Sequence, residues 1–256
     1  MLLLEGRTAL VTGAGGRLGR RIVARLAAEG ASVAALDLDR EAAERAPAAR
    51  SCAVVADVRD PDAVENAVAA AENEIGPLDV LVNAHGIFPN RPVLDITAPR
   101  WDEVFAVNVR GTMLACQAVA RRWVERGTRG AIVTISSGAA TSARAGGAHY
   151  AGSKAAVNML VHTLAIELGP HGIRVNAVAP GLVLDEVLTS GEGQPPYFEA
   201  MLRATPLRRT GDADDVAQAV AFLASDRSAW TTGAILEVTG GSHCGRTHVP
   251  YSGDLQ

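Results

Sequence analysis

Cysteine is scarce in this chain: Cys52, Cys116 and Cys244 are odd in number and far apart. Neither a disulfide framework nor a metal site fits that count and spacing, so packed thiols in a reducing, cytoplasmic compartment are expected, with no metal. Long apolar runs are missing as well. No stretch approaches the roughly eighteen apolar residues that a bilayer span needs. The opening MLLLEGRTALVTG has too short an apolar run for a secretory signal, and no cleavage-like region follows it. Acids and bases are interspersed around a net charge of −4, without a basic block, which argues against nucleic acid and against a membrane surface as partners. The 256 residues suit one large α/β domain or two small ones. No linker, low-complexity tract or repeat divides them, so a single domain over 1–256 is expected.

Short β-branched runs alternate with longer helical patterns. The runs lie at 8–12, 32–37, 52–57, 79–84, 130–136, 174–180 and 234–238. Most are apolar throughout rather than alternating, the mark of strands buried on both faces of a parallel sheet. Helical patterns fall at 17–29, 40–46, 60–75, 100–126 (in two pieces), 149–169 and 212–225. This repetition implies a doubly wound seven-stranded parallel sheet with right-handed crossovers and helices on both faces. One segment, LTSGEGQPPYF at 188–198, is irregular, and a flexible cover over a site is expected from about 184 to 210.

VTGAGGRLGR joins the first strand to the first helix. Glycines in such a turn let the backbone approach a pyrophosphate, whose charge the helix start stabilises. Asp37 ends the second strand, eighteen residues beyond Gly19. An acid there accepts hydrogen bonds from a ribose 2′-hydroxyl and repels a 2′-phosphate, so NAD is expected, with NADP as the alternative. Asp57, followed by Val58, is either an adenine contact or a simple strand-end acid. Further on, Tyr150 and Lys154 are four residues apart, hence on one face of a helix. Alone, that pair reads equally as a solvated surface pair or as a phenol set beside a cation to move a proton.

Taken in order, these features resemble the short-chain dehydrogenases/reductases, from Thr8 to about Gly241. Tyr150 and Lys154 match that family's tyrosine–lysine motif, Ser137 its serine thirteen residues earlier, and Asn108 its helix asparagine. LVNAHG and VNAVAPG fall where its fourth and sixth strands end. The resemblance implies a Rossmann-like fold and hydride transfer between nicotinamide and a carbonyl or alcohol. Tyr150 would act as acid–base with its pKa lowered by the Lys154 ammonium, and Ser137 would donate to the same oxygen. Asn108 would interrupt its helix and hold a water that relays protons to Lys154. Expected cofactor contacts are Gly13, Gly16, Arg17, Leu18, Gly19, Asp37, Asp57, Val58, Asn83, Gly86, Tyr150, Lys154, Pro180, Gly181 and Val183. The resemblance also implies a homotetramer built through the helices around 100–126 and 149–169 and the last strand.

The chain departs from that family in places. Arg17 replaces a common glycine and lies either beside the pyrophosphate or where it favours a 2′-phosphate, in competition with Asp37. His85 stands where alanine is expected and either faces the nucleotide or caps the strand, with a catalytic role as the lesser alternative. Asp185 replaces a threonine near the nicotinamide amide. The substrate walls expected are Ile87, Phe88, Ala139, Ala140, Gly146, His149 and the segment 184–202, with Leu188, Tyr197, Phe198 and Met201. They are mostly apolar or small, and no arginine cluster precedes Arg203 in that segment, so a hydrophobic ketone or secondary alcohol is expected. The competing readings are a 3-oxoacyl-[acyl-carrier-protein] reductase using NADPH, a dehydratase or epimerase that recycles its cofactor, and a dinucleotide-bound scaffold without chemistry.

Overall fold

The computed structural model describes residues 2–45, 51–184 and 196–245. All seven expected strands are present: β1 Thr8–Thr12, β2 Ser32–Asp37, β3 Ser51–Val55, β4 Val80–Asn83, β5 Ala131–Ile135, β6 Arg174–Pro180 and β7 Ile235–Val238. They form one parallel sheet in the order β3-β2-β1-β4-β5-β6-β7. β1 pairs with β2 on one side and β4 on the other, Thr12 lying opposite both Leu36 and Asn83. The chain therefore winds outward in two directions from β1 and β4, which opens a crevice beyond their carboxyl ends.

Helices α1 Arg17–Ala28, α2 Arg40–Glu44, α3 Pro61–Ile75, α4 Ala98–Phe105, α5 Gly111–Arg126, α6 Ala148–Leu168, α7 Pro196–Ala204 and α8 Ala213–Ala224 flank the sheet. Successive strand residues face opposite sides, and both sides are apolar. Val11, Val33, Val82, Val133 and Val178 pack with α1 and α8, while Leu10, Leu36, Leu81, Ile132 and Val175 pack with α3, α5 and α6. Trp123 of α5 is fully buried in the second layer and donates its indole N–H to the Leu78 carbonyl at 2.7 Å. Trp123→Phe is expected to cost about 2 kcal/mol, because it strands that carbonyl and leaves a void. The urea midpoint should fall with an unchanged slope.

The expected helix over 100–126 is broken by a wide, π-type turn at Ala106–Arg110. Helix α7 is a departure, since it lies within the flexible cover expected at about 184–210 and begins inside the irregular stretch 188–198. Pro196 suits a first helical turn, and a Glu199–Arg203 pair one turn apart supports the remainder of the helix; the preceding glycines and prolines hid that pattern. Residues 185–195 and 246–256 lie outside the described residues. With them go Asp185, Leu188 and most of the tail. The three thiols are free. Among the described residues no helix is long and apolar enough to cross a membrane.

Candidate active site

The glycine turn closes tightly on itself. Gly13 has φ +66°, and a Cβ there would lie 2.5 Å from the His85 Cα. A Cβ at Gly19 would collide with the Gly13 carbonyl oxygen, which no side-chain motion can relieve. Gly16 caps α1 without any side-chain hydrogen bond, whereas Asp39, Asp60 and Asp212 cap α2, α3 and α8. The N–H groups at the start of α1, around Leu18 and Gly19, thus carry no side-chain cap, and bare glycine backbone surrounds them. Such an arrangement is able to cradle a diphosphate. Asp37 sits at its edge, its carboxylate accepting from the Gly15 N–H at 2.9 Å and the Asp39 N–H at 3.2 Å. Arg17 shares a groove outside α1 with Arg20, Arg21 and Arg45.

Other expected cofactor contacts differ in what they offer. Asp57 is gripped by the Arg59 guanidinium at 2.6–3.0 Å and held below the usual carboxylate range by it, so its carboxylate is already engaged, as for a strand-end acid. Val58 is buried, with its side chain under Gly111. The side chain of Asn83 points into the core toward Thr134 Oγ1 (3.2 Å) and Cys116 Sγ (3.3 Å). At the end of β6, Gly181 packs against Thr239 and Val183 is buried. A Cβ on Gly86 would stand 3.3 Å from Asn108 Oδ1 and 3.6 Å from Lys154 Nζ, so the glycine lies directly beside the catalytic candidates.

The four expected catalytic residues converge at the same sheet edge. Ser137 follows β5, and its hydroxyl is near enough to the Tyr150 phenol on α6 to favour its charged form. Lys154 is buried one turn on, with Nζ 6.0 Å from the centre of the Tyr150 ring, and donates to the Ile135 carbonyl at 2.7 Å. Asn108, fully buried in the π-type turn, donates through Nδ2 to the Ile87 carbonyl (3.0 Å) and to Ser153 Oγ (2.9 Å), and its Oδ1 accepts from the Ile87 N–H (2.9 Å). Ser153 in turn donates to the Tyr150 carbonyl at 2.7 Å, which ties the turn to α6. Turns of this type occur often at functional sites because they aim one side chain out of register.

The electrostatics differ from the sequence expectation in one respect. The Tyr150 phenol lies above its ordinary pKa, not below it. Burial dominates, while the Ser137 hydrogen bond and the Arg144 guanidinium pull the other way. Lys154 exerts no matching pull: its amine is turned to a carbonyl, and burial lowers it to about 8. In the protein alone the phenol therefore keeps its proton.

Several participants escaped the sequence reading. Ser153 lies inside the tyrosine–lysine motif, three residues after Tyr150, and that spacing alone marks it. Arg144 acts electrostatically on Tyr150, stacks over the Tyr197 ring 5.7 Å from its centre, and bonds the Tyr197 hydroxyl. It lies between Ser137 and Tyr150 in the chain, outside the 184–202 segment expected to cover the substrate. Of the expected walls, Phe88 meets Tyr150 edge-on at 6.3 Å, and His149 is buried with neither ring nitrogen partnered.

The sequence profile of the family described as "Enoyl-(Acyl carrier protein) reductase" matches residues 13–243. The chain is 41% identical to a rat (Rattus norvegicus) (3R)-3-hydroxyacyl-CoA dehydrogenase over 94% of its own length and 97% of the relative's. It is 39% identical to a bovine (Bos taurus) L-xylulose reductase, covering 94% and 98%. Among solved structures, a gluconate 5-dehydrogenase from Burkholderia cenocepacia in complex with NADP and tartrate superposes with a TM-score of 0.87, at 31% identity and covering 96% and 98%. A short-chain type dehydrogenase/reductase from Mycobacterium marinum gives a TM-score of 0.86, at 30% identity and covering 94% and 97%.

Proposed function

The chain belongs to the short-chain dehydrogenase/reductase family of NAD(P)-dependent oxidoreductases acting on alcohols and ketones, and from that premise we propose that it reduces a ketone with one apolar flank to its secondary alcohol, using NADH and Tyr150. The observation that carries this is the Ser137–Tyr150 hydroxyl pair, set against Phe88 at the sheet edge that also carries the glycine cradle. Two neighbouring hydroxyls can donate to one carbonyl oxygen. Because the phenol holds its proton, it is ready to give it away, which favours the reductive direction at neutral pH. Ser137 steadies the charge that develops on that oxygen.

The residues present fit a dinucleotide. Gly13, Gly16, Leu18 and Gly19 would hold the pyrophosphate, Asp37 the adenosine ribose, and Lys154 the ribose beside the nicotinamide, with Gly86 and Pro180–Gly181 around that ring. The bound nicotinamide supplies the hydride. Asn108, through Ile87 and Ser153, keeps the loop after β4 and helix α6 at a fixed spacing.

Asp37 supports NADH. The contrary reading, NADPH, is favoured by the groove that Arg17 shares with Arg45 and by the NADP in the Burkholderia relative. Following loss of reduced-nicotinamide absorbance across ketones, β-keto esters and 3-oxoacyl thioesters separates the two. NADH is expected to be preferred, and Asp37→Ala should move the kcat/KM ratio toward NADPH by about ten- to a hundredfold, the range set by losing one like-charge repulsion. A parent that prefers NADPH would hand the deciding role to the arginines. The names of the relatives support hydroxyacyl and small sugar-like alcohols as the classes to test first. Arg144 at the rim supports a polar or anionic group on the far end of the substrate, a revision of the wholly apolar expectation.

For assembly, a homotetramer is the proposal. Met159 and Ile166 on α6, Leu236 on the edge strand β7 and Trp230 beside it expose apolar surface of the kind an oligomer covers. A reducing compartment accords with the free thiols.

A further inference from the structure

At the end of β4 the His85 ring is 9% exposed and is reached from four elements. From β1, Thr12 Oγ1 lies 2.6 Å from Nδ1. From α5, Thr112 Oγ1 lies 3.4 Å from Nε2. From the π-type turn, the Val107 backbone acts on the ring in the direction that favours its charged form. From α6, the Lys154 ammonium acts on it in the opposite direction. A Cβ on Gly111 would stand 3.2 Å from Nε2, so that glycine leaves room for the ring.

These neighbours fix the tautomer. The Thr112 hydroxyl commits its proton to the Asn108 carbonyl at 2.8 Å, so toward His85 it can only accept. Nε2 therefore carries the hydrogen, and Nδ1 accepts from the Thr12 hydroxyl, whose other acceptor, the Val82 carbonyl, is farther off at 3.4 Å. The donors run in one direction: Thr12 to His85, His85 to Thr112, Thr112 to Asn108.

We propose that His85 is a positioning residue that, as the neutral Nε2–H tautomer, fastens Thr112 and through it the Asn108 carbonyl of the wide turn, and so sets Asn108 against Ile87 and Ser153 beside the Tyr150–Lys154 pair. This rests on the proton-transfer reading of Tyr150. The Thr112 hydroxyl donates to the Asn108 carbonyl within the wide turn, and His85 holds that hydroxyl from outside the helix. The ring stays uncharged because burial and the Lys154 ammonium push it down to about 3, so it brings no second cation near the lysine.

The test uses His85→Ala, His85→Gln and Thr112→Val with NADH and the best ketone from the screen. Lys154 is the only lysine in the chain, so lysine-labelled protein gives a single side-chain NMR signal whose titration reports on the site without turnover. His85→Ala is expected to lower kcat by about ten- to a hundredfold, as for a misplaced reacting group, with the NADH Kd unchanged, and to shift the lysine midpoint. His85→Gln keeps an N–H at the Nε2 position and should recover most of the kcat. Thr112→Val should lower kcat in the same sense, non-additively with His85→Ala. Loss of thermal stability with kcat and the lysine titration unmoved would show a plain core histidine and overturn the proposal. Should His85→Ala not fold, a Thr112→Val enzyme with full kcat and an unmoved lysine signal overturns it equally. Full turnover in Tyr150→Phe would sink the functional reading alone, since the lysine signal needs no reaction.

Discussion

Tyr150→Phe is expected to lower kcat by about a hundred- to ten-thousandfold while leaving NADH affinity within a factor of two. The first figure is the usual contribution of a placed general acid. The second comes from position, because the phenol lies beside Ser137 at the sheet edge and takes no part in the glycine turn or the Asp37 contacts. The fold should survive: the change removes one hydroxyl from a partly exposed ring, and Ser137 keeps its bond from the Ala139 N–H. The oxidative direction supplies a second readout. Since burial holds the phenol above its ordinary pKa, alcohol oxidation by the parent should rise with pH as phenolate forms, and in Tyr150→Phe this rise should vanish. Stopped-flow turnover and fluorescence titration of NADH make both measurements. A variant with parental turnover would place the proton on another group and revive the scaffold reading.

How much of this was legible in the sequence depends on whether a feature is local. The strands were, because burial on both faces leaves an unbroken apolar run such as TALVT. So were the ends of β1, β2, β4, β5 and β6, where Gly13, Asp37, Gly86, Ser137 and Gly181 gather once the sheet is parallel. The break at Asn108 came from resemblance alone, since nothing in FAVNVRG announces a π-type turn. What stayed hidden depends on register between distant segments. His85 meets Thr12 and Thr112 only because β1 and β4 pair with Thr12 opposite Asn83 and α5 starts above them. The sign of the Tyr150 shift was hidden for a related reason. A lysine four residues away predicts a lowered phenol, but burial and the turn of the amine to the Ile135 carbonyl appear only in three dimensions.

The same burial makes Lys154 a residue that function retains against stability. Lys154→Met is expected to abolish measurable turnover yet leave the cofactor-free protein at least as stable as the parent. Burial lowers the amine from 10.5 to about 8, a displacement worth roughly 3 kcal/mol. The folded-state value lies below the unfolded one. Below pH 8 both states are therefore charged, and folding bears the full cost of burying the ammonium. Between pH 8 and 10.5 the folded protein loses its proton first, and stability rises with pH. Methionine fills similar space without charge, although it leaves the Ile135 carbonyl unpaired, a loss of about 1–3 kcal/mol. The net expectation at pH 7 is a gain of about 0–2 kcal/mol by urea unfolding, shrinking toward pH 10 and turning into a loss. Turnover should fall at least as far as in Tyr150→Phe, and NADH affinity should fall with it, unlike in that variant, because the amine is the group assigned to the nicotinamide ribose. A variant several kcal/mol less stable at pH 7 would show the amine to be a structural anchor, and a fall in turnover could then no longer be read as chemistry.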